Sequence, residues 1–342
     1  MEGFLAGQSL AVNIAVGLAA IAILVLSADY AVNKLVGLAN YFRLSGTFMG
    51  MTVLSLATSI PEITAHLTAS VGILRGTLDF RIGSSIVLGA NIGSDVVQQT
   101  LIMALVVFFA GTIYFRRYFL YKSMIPMIGT TVMCLILGWD RVFSRLDGLI
   151  LFGTFIAYTY YLYVDERKYY RKPESAEEMP EARTPQNRQE MLRDVFLATV
   201  AMALTILTAQ VVLGITERVV VATGIGGSFI GVVTLGVASA MPELVTAISG
   251  IRCKEHGISL GTLVGSNITN PLVAIGSGAL VSTYWAPKPL LYWDLPWETI
   301  TGIILWVILW FTRGRLNRWA AYYLMGLYIA YVALRALFFL AD

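Results

Sequence analysis

Two carboxylates invite a chemical reading because each follows a proline inside an apolar stretch. Glu62 closes the run Ala57-Thr58-Ser59-Ile60-Pro61-Glu62, and Glu243 closes Ala238-Ser239-Ala240-Met241-Pro242-Glu243. A proline within a helix lacks an N–H and clashes with the carbonyl four residues back, here that of Ala57 or Ala238. In a bilayer a freed carbonyl is costly unless something satisfies it. A bound cation would do so, and Glu62 and Glu243 would place negative charge beside it. Thr58 lies one turn before Glu62 and Ser239 one turn before Glu243, so hydroxyl and carboxylate share a face. Ser94 and Gln98 are four residues apart, as are Ser266 and Asn270, and each pair shares a face as well. These donors are carboxylates, hydroxyls, amide oxygens and backbone carbonyls, with no thiol. Such a set suits hard cations, Na+, Ca2+ or Mg2+, and not zinc or copper. Glu62, Glu243, Thr58 and Ser239 form the expected heart of the metal set. Two carboxylates at the midplane would balance one divalent ion, or two or more monovalent ones. A charge in that position costs at least about 2.5–3.5 kcal/mol and is functional by default.

The elements that must hold these residues are membrane helices. The chain has 342 residues, 57% hydrophobic and 13% charged, where a soluble domain carries about 25% charged residues. Its mean hydropathy is +0.73. This excludes an ordinary soluble enzyme or binding domain and implies one polytopic, all-α membrane protein. A spanning helix needs about 20 apolar residues. Ten spans are expected, at roughly 8–33, 45–73, 82–109, 118–138, 146–164, 193–216, 226–250, 257–282, 296–312 and 317–340. The first lacks a basic leader and is too long for a signal peptide, so it reads as a retained span. Residues 165–192 are charged and proline-containing. They read as a solvated linker between two five-helix units, 1–164 and 193–342. Cys134 and Cys253 have no CxxC spacing, which argues against a disulfide framework or a zinc site. Most of the 24 Lys and Arg fall on the linker side of this layout. Arg75, Arg81, Arg141, Arg145, Arg218, Lys288 and Arg335 fall on the other. The bias predicts a multi-pass cell-membrane protein with a cytoplasmic linker and both termini outside.

The two proline–glutamate runs belong to a repeat. GTFMG (46–50) matches GSFIG (227–231), Leu54 matches Leu235, and Ala57, Pro61 and Glu62 match Ala238, Pro242 and Glu243, at a constant offset of 181. LGANIGSDVVQ (88–98) matches LGTLVGSNITN (260–270) at an offset of 172, and a short insertion near 72–81 accounts for the change. Five spans separate equivalent helices, so the second copy enters the membrane inverted. Inverted repeats with a midplane site between them are the architecture of many secondary transporters. Gly46, Gly50, Gly89 and Gly93 mirror Gly227, Gly231, Gly261 and Gly265, and small residues at this spacing permit close helix approach. They are expected to hold helices two and three against seven and eight.

With A-T-S-I-P-E followed by G-S-D-V-V-Q, and A-S-A-M-P-E followed by G-S-N-I-T-N, the chain resembles the calcium/cation antiporter superfamily, its sodium/calcium exchanger branch above all. That family carries two inverted copies of G-[TS]-S-x-P-E and G-S-N-x-x-N. The resemblance implies Na+/Ca2+ antiport without a cofactor, with the bilayer and the transported cations as partners and no nucleic acid. The family's ion ligands fall on Thr58, Ser59, Glu62, Ser94 and Gln98, and on Ser239, Glu243, Ser266 and Asn270, joined by the carbonyls of Ala57 and Ala238. The sequence departs from the pattern at Gln98, longer than the usual Asn or Asp, at Ala240 in place of serine, and at Asp95 in place of asparagine. Asp95 would tune charge or bond to a neighbouring helix. His66, one turn after Glu62, would be a hydrogen-bonded structural group or a proton carrier. Asp29 is expected near the end of the first span as an interfacial residue. Rival readings are exchange of Mg2+ or coupling to H+ or K+ on the same fold, a cation channel, and an intramembrane hydrolase. Ser59 and His66 are the only hydrolase pair on one helix, and seven residues put them about 10 Å apart along it, too far for a direct hydrogen bond.

Overall fold

The computed structural model describes residues 10–41, 51–52, 55–115, 120–169, 183–252 and 256–342. The main helices are α1 (Leu10–Tyr41), α2 (Ile60–Arg75), α3 (Phe80–Val97), α4 (Ile125–Leu137) and α5 (Arg145–Tyr169). They are followed by α6 (Arg188–Thr223), α7 (Met241–Arg252), α8 (His256–Thr269), α9 (Leu295–Phe311) and α10 (Arg318–Phe338). Among the described residues, seven helical tracts are long and apolar enough to cross a membrane: Ala11–Ala31, Phe80–Ala110, Leu120–Leu137, Arg188–Thr223, Gly227–Ile248, Leu290–Phe311 and Arg318–Phe338. The tracts containing α2, α5 and α8 fall short of the expected ten for identifiable reasons. Residues 42–50 and 53–54, ahead of α2, lie outside the described residues. Tyrosines, threonines and terminal charges dilute α5, and Ser259, Thr262, Ser266, Asn267 and Thr269 dilute α8.

Several expected boundaries shift. Helix α1 runs to Tyr41, well past residue 33, so Asp29 lies near the end of the apolar window but inside the helix, bonded by Asn33 Nδ2 at 3.2 Å. Helices α5 and α6 take residues 165–169 and 188–192 from the expected linker. Arg335, counted above among the charges of the outer side, is fully buried and bound to Asp294 at 3.1 Å.

The core sits around α3. Within an apolar 18-residue window of each tract, 78% of residues are buried in Phe80–Ala110 but only 29% in Ala11–Ala31 and 22% in Arg318–Phe338, which marks α3 as central and α1 and α10 as peripheral. Helices α1 and α6 run antiparallel along each other, with Ala20 and Leu24 on Ala209 and Val212, Ser27 sharing a hydrogen bond with Thr205 at 2.9 Å, and Lys34 paired to Asp194 at 3.1 Å.

The expected glycine contacts are present in crossed form. A Cβ at Gly93 would stand 2.6 Å from Val232 Cα, and one at Gly236 would stand 2.8 Å from Ser94 N, so α3 lies backbone to backbone on the 227–239 segment. A Cβ at Gly265 would meet Ser55 at 2.9 Å and Met51 Cα at 3.2 Å, so α8 lies in the same way on the segment before α2. Gly46 and Gly50 fall outside the described residues. Two short antiparallel clasps complete the frame. Strand β1 (Thr112–Tyr114) pairs with β4 (Arg315–Asn317), and β2 (Val142–Phe143) pairs with β3 (Tyr284–Trp285).

Candidate functional site

Each proline–glutamate run ends one helix and starts another. Ser59 (φ −79°, ψ 6°) separates the Ser55–Thr58 turn from α2, and Ala240 (φ −79°, ψ 0°) separates Gly236–Ser239 from α7. Pro61 and Pro242 thus occupy the first turn of α2 and α7, where a missing N–H costs least. Glu62 and Glu243 fall in the same first turn, where the helix dipole favours a carboxylate. A kinked continuous helix was the expectation; two abutting helices deliver the same residues to the interior. Gln98 and Asn270 also mark equivalent irregularities, each opening a π-helical turn, Gln98–Ile102 and Asn270–Ile275.

The two halves meet around the glutamates. Glu62 is 2% exposed and Glu243 fully buried. Ser94 Oγ donates to Glu62 Oε1 at 2.8 Å, and Ser239 stands near the same carboxylate. Thr58 and Ser266, whose hydroxyls share a hydrogen bond of 3.2 Å, stand near Glu243 without bonding to it. Each glutamate is therefore flanked by one hydroxyl of its own half and one of the other. Asn270 Nδ2 donates to Asp95 Oδ1 at 2.6 Å, and Asn267 Nδ2 donates to Gln98 Oε1 at 2.9 Å. These two bonds exchange under the offset of 172.

Ser59 Oγ, Glu62 Oε2, Asn91 Oδ1, both Glu243 oxygens and Asn270 Oδ1 are buried without a hydrogen-bond partner. Leaving a buried polar atom unsatisfied costs about 1–3 kcal/mol, and more for a charge. No Lys or Arg pairs with Glu62, Asp95 or Glu243 among the described residues. Orphaned oxygens converging from several helices, with no cationic side chain, are the surroundings a hard cation needs. A cavity of about 40 Å³ touches Pro61, Glu62, Asn91, Ala238 and Ser239, closed by Ile21, Leu24, Ala209 and Val212 of α1 and α6. Ala238, which also lines it, is partly buried, and Ala57 is buried.

The expected tuning residues are both engaged. Asp95 bonds to the opposite half, as above. His66 shares a 3.2 Å hydrogen bond through Nδ1 with Tyr284 Oη, which donates to the His66 carbonyl at 2.9 Å. No hydrogen bond joins His66 to Ser59, whose Oγ has no partner.

Several polar residues at the site escape sequence reasoning. Gln99 Nε2 donates to Asn267 Oδ1 at 2.8 Å and approaches Glu298 Oε1 at 3.5 Å. Asn91 Nδ2 donates to the Asn270 carbonyl at 3.2 Å. Behind Glu298, Asp294 receives Arg335 Nε at 3.1 Å and Tyr331 Oη at 2.7 Å. Arg335 Nη2 reaches Ser228 Oγ at 2.6 Å, and Ser228 also meets the Asp342 carboxylate. Asn267 and Asn91 were visible as polar residues inside the duplicated motif; nothing in the apolar run around Glu298 pointed to the site.

The model of the family described as sodium/calcium exchanger protein matches residues 12–164 and 194–337. The chain belongs to the sodium/calcium exchanger family. It is thus a membrane protein of the calcium/cation antiporter superfamily. The family protein is 27% identical over 325 residues to inner membrane protein YrbG of Escherichia coli (91% of this chain, 93% of that one). It is 23% identical to sodium/calcium exchanger MaX1 of Methanosarcina acetivorans (94% and 97%). Among solved structures it resembles the sodium-calcium exchanger NCX_Mj, with a TM-score of 0.61 at 20% identity over 94% of this chain and 98% of that one. At that identity the likeness bears on the fold.

Proposed function

We propose that this exchanger-family protein is a secondary antiporter that moves Ca2+ against Na+ by alternating access. Family membership supports cation antiport. The observation that carries the ion-binding assignment is the set of unpartnered buried oxygens between Glu62 and Glu243. The ligands are the side chains of Thr58, Ser59, Glu62, Ser94, Ser239, Glu243, Ser266 and Asn270 and the carbonyls of Ala57 and Ala238, with Gln98 hydrogen-bonded to Ser94 behind them. Two carboxylates cannot hold a divalent ion and a full set of sodium ions together, so each cargo displaces the other. The fold reading is ten helices in two inverted five-helix repeats, 1–164 and 193–342, joined by a cytoplasmic linker at 165–192 with both termini outside. The hydrogen bonds that exchange between halves, and the two exchanging clasps, support that symmetry. A second cavity of about 260 Å³ runs beside Arg75, Gln210 and Leu213, and Leu213 lines both cavities. It supports an approach to Glu62 between α2 and α6. The test is uptake of radioactive Ca2+ into proteoliposomes loaded with Na+. Uptake that needs internal Na+ is expected; uptake driven only by a proton or K+ gradient would reassign the coupling ion. Asp95, a carboxylate beside the cluster, favours that second reading of the same fold.

A further inference from the structure

A single hydrogen-bond chain crosses the interior from α2 to α9. Ser94 donates to Glu62 at 2.8 Å, and Gln98 Nε2 donates to Ser94 Oγ at 3.1 Å. Asn267 Nδ2 donates to Gln98 Oε1 at 2.9 Å, and Gln99 Nε2 donates to Asn267 Oδ1 at 2.8 Å and faces Glu298 Oε1 at 3.5 Å. The direction of an amide is ordinarily ambiguous, since its oxygen and nitrogen look alike. Here a backbone group resolves it. Asn267 Nδ2 also donates to the Leu263 carbonyl at 2.8 Å, and a carbonyl only accepts. With Asn267 fixed, the atom of Gln98 that it meets must be oxygen. The atom of Gln98 that faces Ser94 must then be nitrogen. Glu298 on the far side, also only an acceptor when ionised, holds Gln99 in the matching sense.

We infer that Gln98 is a specificity-determining residue that presents its NH2 to the cluster and so stands in the place of a monovalent cation, with Asn267, Gln99 and Glu298 as the positioning residues that keep it turned. This rests on the proposed ion-binding site. An amide nitrogen supplies positive partial charge to Ser94 and, through it, to Glu62, but cannot ligate a metal ion. The chain therefore binds one Na+ fewer than a site with an oxygen at this position. The second half has no such substitute: Asn270 leaves its oxygen unpartnered.

The test is equilibrium titration of the purified full-length protein with Na+ and Ca2+, then Na+-driven Ca2+ flux in proteoliposomes. Gln98→Glu exchanges the nitrogen for oxygen at nearly constant shape. A Na+ Hill coefficient higher by about one, with Ca2+ bound about tenfold more tightly, is expected. Asn267→Ala releases Gln98 to turn and should move the coefficient the same way by a smaller step, and it decides alone if Gln98→Glu does not fold. Glu298→Gln, which keeps an acceptor for Gln99, should leave the coefficient as it is, whereas Glu298→Leu should act like Asn267→Ala. A coefficient unchanged in Gln98→Glu and Asn267→Ala, with only the rate lowered, overturns the inference. Wild-type Ca2+ binding retained in Glu62→Gln overturns the proposed site itself, whichever way Gln98→Glu reads.

Discussion

Glu62 and Glu243 share a backbone setting and a pair of flanking hydroxyls, and differ in how far their oxygens are satisfied. Both lie in the first turn of a helix, three residues after a break, and both sit beside a hydroxyl from each half. Glu62 has Ser94 bonded to one oxygen and Gln98 behind Ser94. Glu243 has no hydrogen bond on either oxygen. Ser59 faces the first break, while Ala240 occupies the equivalent position in the second. The two runs thus share the helix start that places a carboxylate in the interior and differ in how far that carboxylate is satisfied. One glutamate is partly satisfied by protein; the other depends wholly on what it binds.

That contrast predicts unequal losses. Glu243→Gln should have the largest effect, lowering Ca2+ affinity on the order of a hundredfold, because about 3 kcal/mol of unpartnered charge disappears. The same change should raise the unfolding temperature of the ion-free protein, and Ca2+ titration with thermal unfolding checks both. Glu62→Gln should cost less, about tenfold, since Ser94 can still donate to the amide oxygen. Equal losses in the two variants would dissolve the asymmetry. Ala240→Ser is expected to strengthen Ca2+ binding, and Ser59→Ala to weaken it, each by roughly fivefold for about 1 kcal/mol of polar contact. If Ala240→Ser has no effect, the missing hydroxyl is not what separates the halves. The smallest effect on binding should come from Gly93→Ala. Its Cβ would press on the Val232 backbone and lower stability, detectable as a reduced unfolding temperature. Gly153→Ala, with nothing within 4 Å, serves as the neutral control.

The parts legible in the sequence were those carried by local chemistry. Proline beside glutamate, hydroxyls one turn away and the offset between copies pointed to residues that the fold does bring together. Asp95, weighed as a partner for a neighbouring helix, is bonded to Asn270. What stayed hidden depends on tertiary approach. Gln98 and Gln99 are adjacent, and α-helical periodicity would turn them roughly 100° apart. Asn267 of α8, bonded to both, brings them into one network. Glu298 lies in an apolar helix, and only the packing of α9 against the core makes it part of the interior. Arg335 reads as a boundary charge in a one-dimensional count, because sequence alone does not reveal that Asp294 waits beside it.

The two strand clasps carry a mechanical consequence. Each takes one strand from residues 1–164 and one from 193–342, and β3 and β4 flank α9 at its opposite ends. Such pairings resist a hinge-like opening of the core between these two stretches of chain. On the proposed alternating-access reading, the rearrangement that exposes Glu62 first to one side and then to the other would fall to parts outside the clasps, such as the antiparallel pair α1 and α6, which are bound to each other through Ser27–Thr205 and Lys34–Asp194.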